Sequence, residues 1–537
     1  MVSHLSFFFI YFLYNFFLSF FLPFLRFSPF SNNKKILAKY LKFCCVFLQM
    51  FRPILRFSNS SFLKSTFNQI LTYQASLPQK KVIDFRCPDE LSKIIDFSLP
   101  EASNSNEKLL ELTQKVLDYS VHPNHPHFFN TLFSGADEYS LSGDFLTSVL
   151  NGVMYSYEMA PVFNMMEASI MKHYRKLLGW EYSEGIFSPG GSLGNLYGLL
   201  LARQHYFPEV RNCGMRKIPE LSVFTSELGH FSLEKAALIM GIGMDNVYKV
   251  ETDKNGKMMP SALENSLLQA KKAGKAPIFV NSTIGTTVFG AIDPVDEIAL
   301  ICRKNDVWLH MDASFGGPLF FLEERRREFE KGAKLADSVI FDPHKVLEVP
   351  LQCSLFMTKH QGSMKRCNST KADYLFMEDK SIYDAKKWDL GDGAIQCGRH
   401  IDVLKYWLYL KAHGLENVRG KIRNALENAK YLGELAKKHE NFNLIVEPEY
   451  LAVNFFFFSE RLKKKARDQA FWEDVSRIAP VLKEKMVRKG SLMIAYQQQK
   501  QKGKLLKNFF RPIITVNKKK EDMEFIIEEM YNLGKEL

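Results

Sequence analysis

The strongest constraint on the fold of this chain is a rhythm between Gly185 and Lys345. Short apolar runs alternate there with helical stretches of ten or so residues. Residues 221–226, 247–250, 278–282 and 307–312 read as strands, as does the run Ser338-Val339-Ile340-Phe341, which breaks at Pro343. Residues 233–240, 261–272 and 296–304 read as the helices between them. Such alternation implies an α/β fold, with a mainly parallel sheet covered on both faces. Residues 185–195 lead from another apolar run into a helix through Arg203. From about Ile401 the rhythm changes to long helices. Short strands follow near Tyr450 and Phe509, and an amphipathic helix closes the chain at 521–533. That change marks a smaller α+β domain.

At 537 residues the chain is too long for one simple core. The expected divisions are an extension at 1–85, a segment at 86–140, a large domain at 141–400 and a small domain at 401–537. Residues 106–119 read as a helix. Residues 146–180 read as long helical segments broken near Pro161 and apolar all round, the pattern of a buried or subunit-facing helix.

The formal charge of +12 suggests nucleic-acid binding until it is located. No Asp or Glu precedes Asp84, and ten Lys and Arg do. The rest holds 61 basic against 59 acidic residues, so no nucleic-acid partner is expected. The eight cysteines form no C-x-x-C pair and no His cluster has metal-ligand spacing, so no metal is expected. They read as reduced thiols of an intracellular protein. Residues 5–25 are Phe-rich, almost uncharged and long enough to span a bilayer, and the basic flank at 26–42 would keep the body in the cytosol. A start at Met50 would instead open an acid-free, Arg- and Ser-containing segment like a mitochondrial transit peptide. A third reading is an over-extended start. All three leave the catalytic core outside residues 1–85, with a cytoplasmic location expected and any membrane contact confined to the extension.

Open α/β sheets bind ligands at the carboxyl ends of their strands. Lys345 follows one such strand in Asp342-Pro343-His344-Lys345, and Asp312 ends another in Val307-Trp308-Leu309-His310-Met311-Asp312. A lone lysine at a strand end is usually a surface residue. Paired with a strand-end acid, it matches a pyridoxal phosphate site. The amine would form the Schiff base and the carboxylate would face the pyridinium nitrogen.

Several further motifs occur in order: Gly190-Gly191-Ser192-Leu193-Gly194-Asn195, Ser226-Glu227-Leu228-Gly229-His230, Asn281-Ser282-Thr283, Ala372-Asp373-Tyr374 and Asn508-Phe509-Phe510-Arg511. Taken together, the chain resembles the group II pyridoxal-phosphate amino acid decarboxylases, of aspartate-aminotransferase-like fold (fold type I). Within them it is similar to the glutamate and cysteine sulfinate decarboxylase branch. The resemblance spans roughly residues 107–537. It implies that the helix start at Ser192, Leu193 and Gly194 cradles the cofactor phosphate. It implies that His230 stacks on the pyridine ring, that Thr283 lies near it, and that Asp342 and His344 lie towards the phosphate. Lys345 would be the anchoring catalytic lysine, His230 a catalytic partner and Tyr374 the general acid that reprotonates the alpha carbon. Arg511 would grip the substrate's side-chain acid group, with Thr131 in the substrate site. A homodimer is also implied, with the Tyr374 loop reaching towards the partner's site. The expected reaction is α-decarboxylation of cysteine sulfinate or aspartate, to hypotaurine or beta-alanine. Glutamate to 4-aminobutanoate is the alternative, and a non-catalytic scaffold is another.

The chain departs from the family pattern at several places. Gly194 stands for a usual serine, Asp342 for asparagine, Thr131 for glutamine, His127 for arginine, Gly393 for lysine and Phe315 for tryptophan. The first two are expected to remove a donor from, and add a negative charge to, the phosphate site.

Overall fold

The computed structural model describes residues 61–372, 374–377, 379–501 and 504–537. The apolar stretch at 5–25 and the Met50 start lie outside these residues. No helix among the described residues is long and apolar enough to cross a membrane. Among the described residues, contacts divide the chain into one unit of residues 61–76 and 89–118, and a second of residues 77–88 and 119 onwards. In the first, helices Ser61–Ser76 and Asn106–Tyr119 are tied by Gln69, whose amide donates to the Leu110 carbonyl (3.0 Å) and accepts from the Thr113 hydroxyl (2.9 Å).

The second unit holds twelve strands: β1 (Phe128–Phe129), β2 (Glu184–Ser188), β3 (Leu221–Ser226), β4 (Val247–Val250), β5 (Ala276–Thr283), β6 (Trp308–Ala313), β7 (Ser338–Phe341), β8 (Ser354–Thr358), β9 (Phe442–Leu444), β10 (Phe455–Phe457), β11 (Met493–Gln501) and β12 (Lys504–Arg511). Seven form one sheet in the order β2-β8-β7-β6-β5-β3-β4. Strands β3 to β7 pair parallel, and every residue of β6 and β7 is buried. Burial on both faces explains why these strands read as nearly continuous apolar runs. Strand β8 runs against both β7 and β2. Two reversals leave β2 pointing the same way as β7, so the helix Gly191–Tyr206 begins at the edge where the parallel strands end.

The remaining five strands form a second sheet, β1-β11-β12-β10-β9, antiparallel except for β1 beside β11. With helices Asp402–Lys438, Gln469–Lys489 and Lys520–Gly534 it makes the smaller α+β part. The architecture is the one the sequence pattern implies.

Two elements differ from the sequence reading. The break expected near Pro161 is present, but the flanking helices are Glu138–Leu150 and Pro161–Leu178, so the first lies earlier than residues 146–160. The first starts earlier because the Asp137 side chain caps it, accepting from the amides of Tyr139 and Ser140. The second starts at Pro161, where a proline costs no hydrogen bond. Strand β11 was not expected at all. Its Tyr-Gln-Gln-Gln-Lys-Gln run carries no apolar alternation, and it is held by its antiparallel ladder to β12.

Candidate active site

Strand register assembles the site. Thr283 pairs with Asp312 across β5 and β6, and Asp312 with Ile340 across β6 and β7. Thr283, Asp312 and the Asp342–Lys345 turn therefore lie side by side at one edge, as the carboxyl-end rule requires. A cavity of about 360 Å³ opens there, and its lining includes Ser192, His230, Thr283, Asp312, His344 and Lys345.

Asp312 is almost fully buried and fully bonded. One carboxylate oxygen accepts from the Ser314 amide (3.1 Å), the other from the Asn195 side-chain amide (2.9 Å). A carboxylate only accepts, so Asn195 must present its NH2 to Asp312 and its oxygen to His310 Nε2 (2.9 Å). His310 Nε2 thus carries a proton, and its Nδ1 accepts from the Ser338 hydroxyl (2.8 Å), which itself accepts from the Trp308 indole (2.8 Å). The remaining Asn195 amide hydrogen goes to Ser232 Oγ (2.8 Å), whose own proton goes to His230 Nδ1 (2.8 Å). Every donor in this chain points one way. Gly198 permits it, since a Cβ there would come within 2.8 Å of His310 Nδ1.

Burial alone would raise the Asp312 carboxyl. The Lys345 charge, the His230 ring when it is protonated at low pH, and its hydrogen bonds outweigh that and hold it below the ordinary value. Burial drives His310 down to about 4 and lowers His230, so both rings are neutral at neutral pH. The sequence reading missed Asn195 and His310, the two side chains that fix Asp312. The signal was present in β6, where Trp308, His310 and Asp312 share one face at spacing two.

At the other end, Lys345 Nζ lies 3.1 Å from Asp342 Oδ2, and His344 Nε2 lies 3.9 Å from the same oxygen. His344 Nδ1 donates to the Cys353 carbonyl (2.7 Å). Asp342 Oδ1 is buried without a hydrogen-bond partner. The helix start behaves differently from expectation at Leu193 and Gly194. Their amides bond back to the Gly190 carbonyl (3.2 and 3.3 Å), which leaves those of Gly191 and Ser192 for a ligand. Neither Leu193 nor Gly194 lines the cavity. A Cβ at Gly194 would come within 2.2 Å of the Ile340 side chain, so a serine there would push into β7 and not into the cavity.

Thr283 is placed through Asp293, whose two oxygens accept the amides of Met258 and Thr283 (2.7 Å each). Arg511 is buried outside the lining and donates to the Thr287 carbonyl (2.6 Å), a residue that does line the cavity. Its Nε has no partner, and burial lowers the guanidinium to about 10. Thr131 is not brought to the cavity and bonds to the Phe133 carbonyl (2.8 Å). His127 stacks on Phe525 at 3.6 Å. Tyr374 is 80% exposed and away from the lining. Phe315 lines the cavity with its ring against Tyr450. Gly393 is buried against Met364.

The donor set fits pyridoxal phosphate. It offers an amine, an ionised carboxylate fixed by hydrogen bonds, a neutral imidazole and a helix start with two available amides. The helix can approach the turn only because residue 191 is glycine, since a Cβ would lie 2.6 Å from both Asp342 Oδ2 and Ser314 Oγ. Asp342 is the one element that does not complement a phosphate.

Comparison with known proteins agrees. The model of the pyridoxal-dependent decarboxylase conserved domain matches residues 88–457. The acidic amino acid decarboxylase GADL1 of Xenopus tropicalis is 42% identical over 87% of this chain and 90% of its own length. The human cysteine sulfinic acid decarboxylase is 41% identical over 85% of this chain and 92% of its own. The crystal structure of mouse CSAD superposes with a TM-score of 0.85 at 38% identity, covering 90% of this chain and all of that one. With cavity, donor set and these matches in agreement, the chain belongs to the pyridoxal-dependent decarboxylases, and its cofactor is pyridoxal phosphate.

Proposed function

We propose that the protein removes the α-carboxylate of a small acidic amino acid, with cysteine sulfinate or aspartate as first choice and glutamate as the alternative. The observation that carries this reading is Arg511, a buried guanidinium with one backbone carbonyl as partner and an unpartnered Nε. A buried cation without a counter-ion is costly. A carboxylate or sulfinate arriving beside Thr287 would relieve that cost with a bidentate charge-assisted pair. The names of the relatives, acidic amino acid and cysteine sulfinic acid decarboxylases, support the same class.

When bound, the cofactor supplies an electron sink for the pair left behind as carbon dioxide departs. The chain's own residues do the rest. Lys345 would hold the cofactor by its amine, the position the substrate amine would take. Asp312, held low by the Lys345 charge and its hydrogen bonds from Ser314 and Asn195, would face the pyridine nitrogen and keep it protonated. His230 would pack its neutral ring on the cofactor, and Tyr374 would return a proton to the alpha carbon.

Tyr374 is too exposed to act from its position in one chain, and we assign it to the partner's site in a homodimer. The dimer is supported by Val149, Leu150, Val162 and Met165, apolar side chains half or more exposed on the helices Glu138–Leu150 and Pro161–Leu178. The six described cysteines are all free, which supports a cytoplasmic body.

The test is carbon dioxide release by cofactor-loaded protein from cysteine sulfinate, aspartate and glutamate in turn. Release from at least one, lost in Arg511→Met, is expected. No release from any of the three overturns the proposal.

A further inference from the structure

Asp342 is the one polar side chain in the cavity whose placement opposes the cofactor. It is 1% exposed, and it stands at the turn after β7 where the family pattern has a neutral residue. Its carboxylate serves no local turn. Neither oxygen accepts a backbone amide; Oδ2 meets only Lys345 Nζ (3.1 Å) and, farther off, His344 Nε2 (3.9 Å), and Oδ1 meets nothing. It is packed against the helix start. A Cβ built on Gly191 would lie 2.6 Å from Oδ2 and 3.2 Å from Oδ1.

A helix start favours any anion, and the free amides of Gly191 and Ser192 are the donors a phosphate would use. Here an anion belonging to the chain already lies beside them. We infer that Asp342 is a built-in competitor of the cofactor's phosphate. It occupies the electropositive end of the cavity, pins the Lys345 amine in the empty protein, and weakens binding of phosphorylated ligands by like-charge repulsion. The penalty falls on the phosphate and not on the ring, so the chain discriminates less between pyridoxal phosphate and unphosphorylated pyridoxal than a neutral residue would allow. This inference rests on the proposed placing of Lys345 and the helix start around the cofactor.

Three probes separate the parts of the claim. Full-length protein stripped of cofactor is titrated with pyridoxal phosphate and with pyridoxal, read by the visible absorbance of the lysine-linked ligand. Inorganic phosphate is titrated by its shift of the melting temperature. Wild type is compared with Asp342→Asn and Asp342→Ser, two neutral variants of different shape, so that loss of folding in one leaves the other. Both variants should bind pyridoxal phosphate and inorganic phosphate roughly ten- to a hundredfold more tightly, the range for one charged contact. Pyridoxal affinity should change by less than about threefold, because the ring feels only the loss of the Lys345 pairing. Equal tightening of pyridoxal and pyridoxal phosphate would overturn the inference, since Asp342 would then act through Lys345 alone. Unchanged phosphate affinity in variants that still bind pyridoxal would also overturn it. If wild type links neither ligand to Lys345, the placing of the site fails first, and that failure is recognisable by the absence of any visible band.

Discussion

Asp312 and Asp342 stand at the ends of neighbouring strands, both almost fully buried, and their surroundings could hardly differ more. Asp312 has a partner for each oxygen, and behind one of them a directed chain of hydrogen bonds runs through Asn195, His310 and Ser338 to Trp308. Asp342 has one cation and one bare oxygen. A buried carboxylate is tolerated when hydrogen bonds and opposite charge replace the water it lost. By that measure Asp312 is a finished part of the protein and Asp342 an unfinished one. With the cofactor placed as proposed, the charge of Asp312 faces the ring and that of Asp342 is set against the phosphate, so the same residue type would support binding at one end of the cavity and oppose it at the other.

Substitutions can break or sharpen this contrast. The largest effect belongs to the residue the two acids share. Lys345→Ala should abolish turnover and the visible absorbance of bound cofactor, checked by assay and spectrum together. Asp312→Asn comes next. It should keep the covalent link yet lower kcat by roughly a thousandfold, because the ring nitrogen loses its counter-charge. Asp342→Asn should instead improve cofactor affinity. If the two substitutions shift binding in the same direction, the contrast is wrong. Asn195→Ala should cost roughly ten- to a hundredfold in kcat, the size of one hydrogen bond to a charged group, with KM little changed. A loss of melting temperature in Asn195→Ala with kcat unchanged would mean that the chain behind Asp312 is only structural.

The smallest effect on turnover is expected at a third buried acid, Asp293, and it sharpens the lesson. Its two oxygens accept backbone amides, yet burial pushes it from the ordinary 3.8 up to about 7. Hydrogen bonds with the charge of Lys257 do not outweigh burial at Asp293; at Asp312 the charge of Lys345, together with its hydrogen bonds, does. Its folded pKa is raised, so the folded state holds the proton more tightly than the unfolded chain. Stability from this group is full below about pH 4 and is lost as pH rises towards 7. Denaturant unfolding across that range should show wild type losing stability relative to Asp293→Asn as pH rises. A difference independent of pH would contradict the assignment.

Much of this site was legible in the sequence because its residues end apolar strands. Asp312 and Lys345 each follow a buried run, and parallel register brings such ends together without further information. Asn195 and Ser338 were not legible, because their roles depend on a helix crossing β6, 117 positions away in sequence, and on β6 pairing with β7, 28 positions away. Gly194 was legible as a departure and misplaced in space. Only the packing of the helix on Ile340 shows that position 194 faces the sheet. Strand β11 was hidden by its glutamines, since a hairpin ladder with β12 places it and its own pattern does not.

The central claim is that Lys345, between these two acids, anchors the cofactor. Borohydride reduction of the loaded protein, followed by peptide mapping, tests it most directly. The account predicts one modified peptide, carrying the reduced cofactor on Lys345. A modified peptide carrying it on any other lysine would contradict the account.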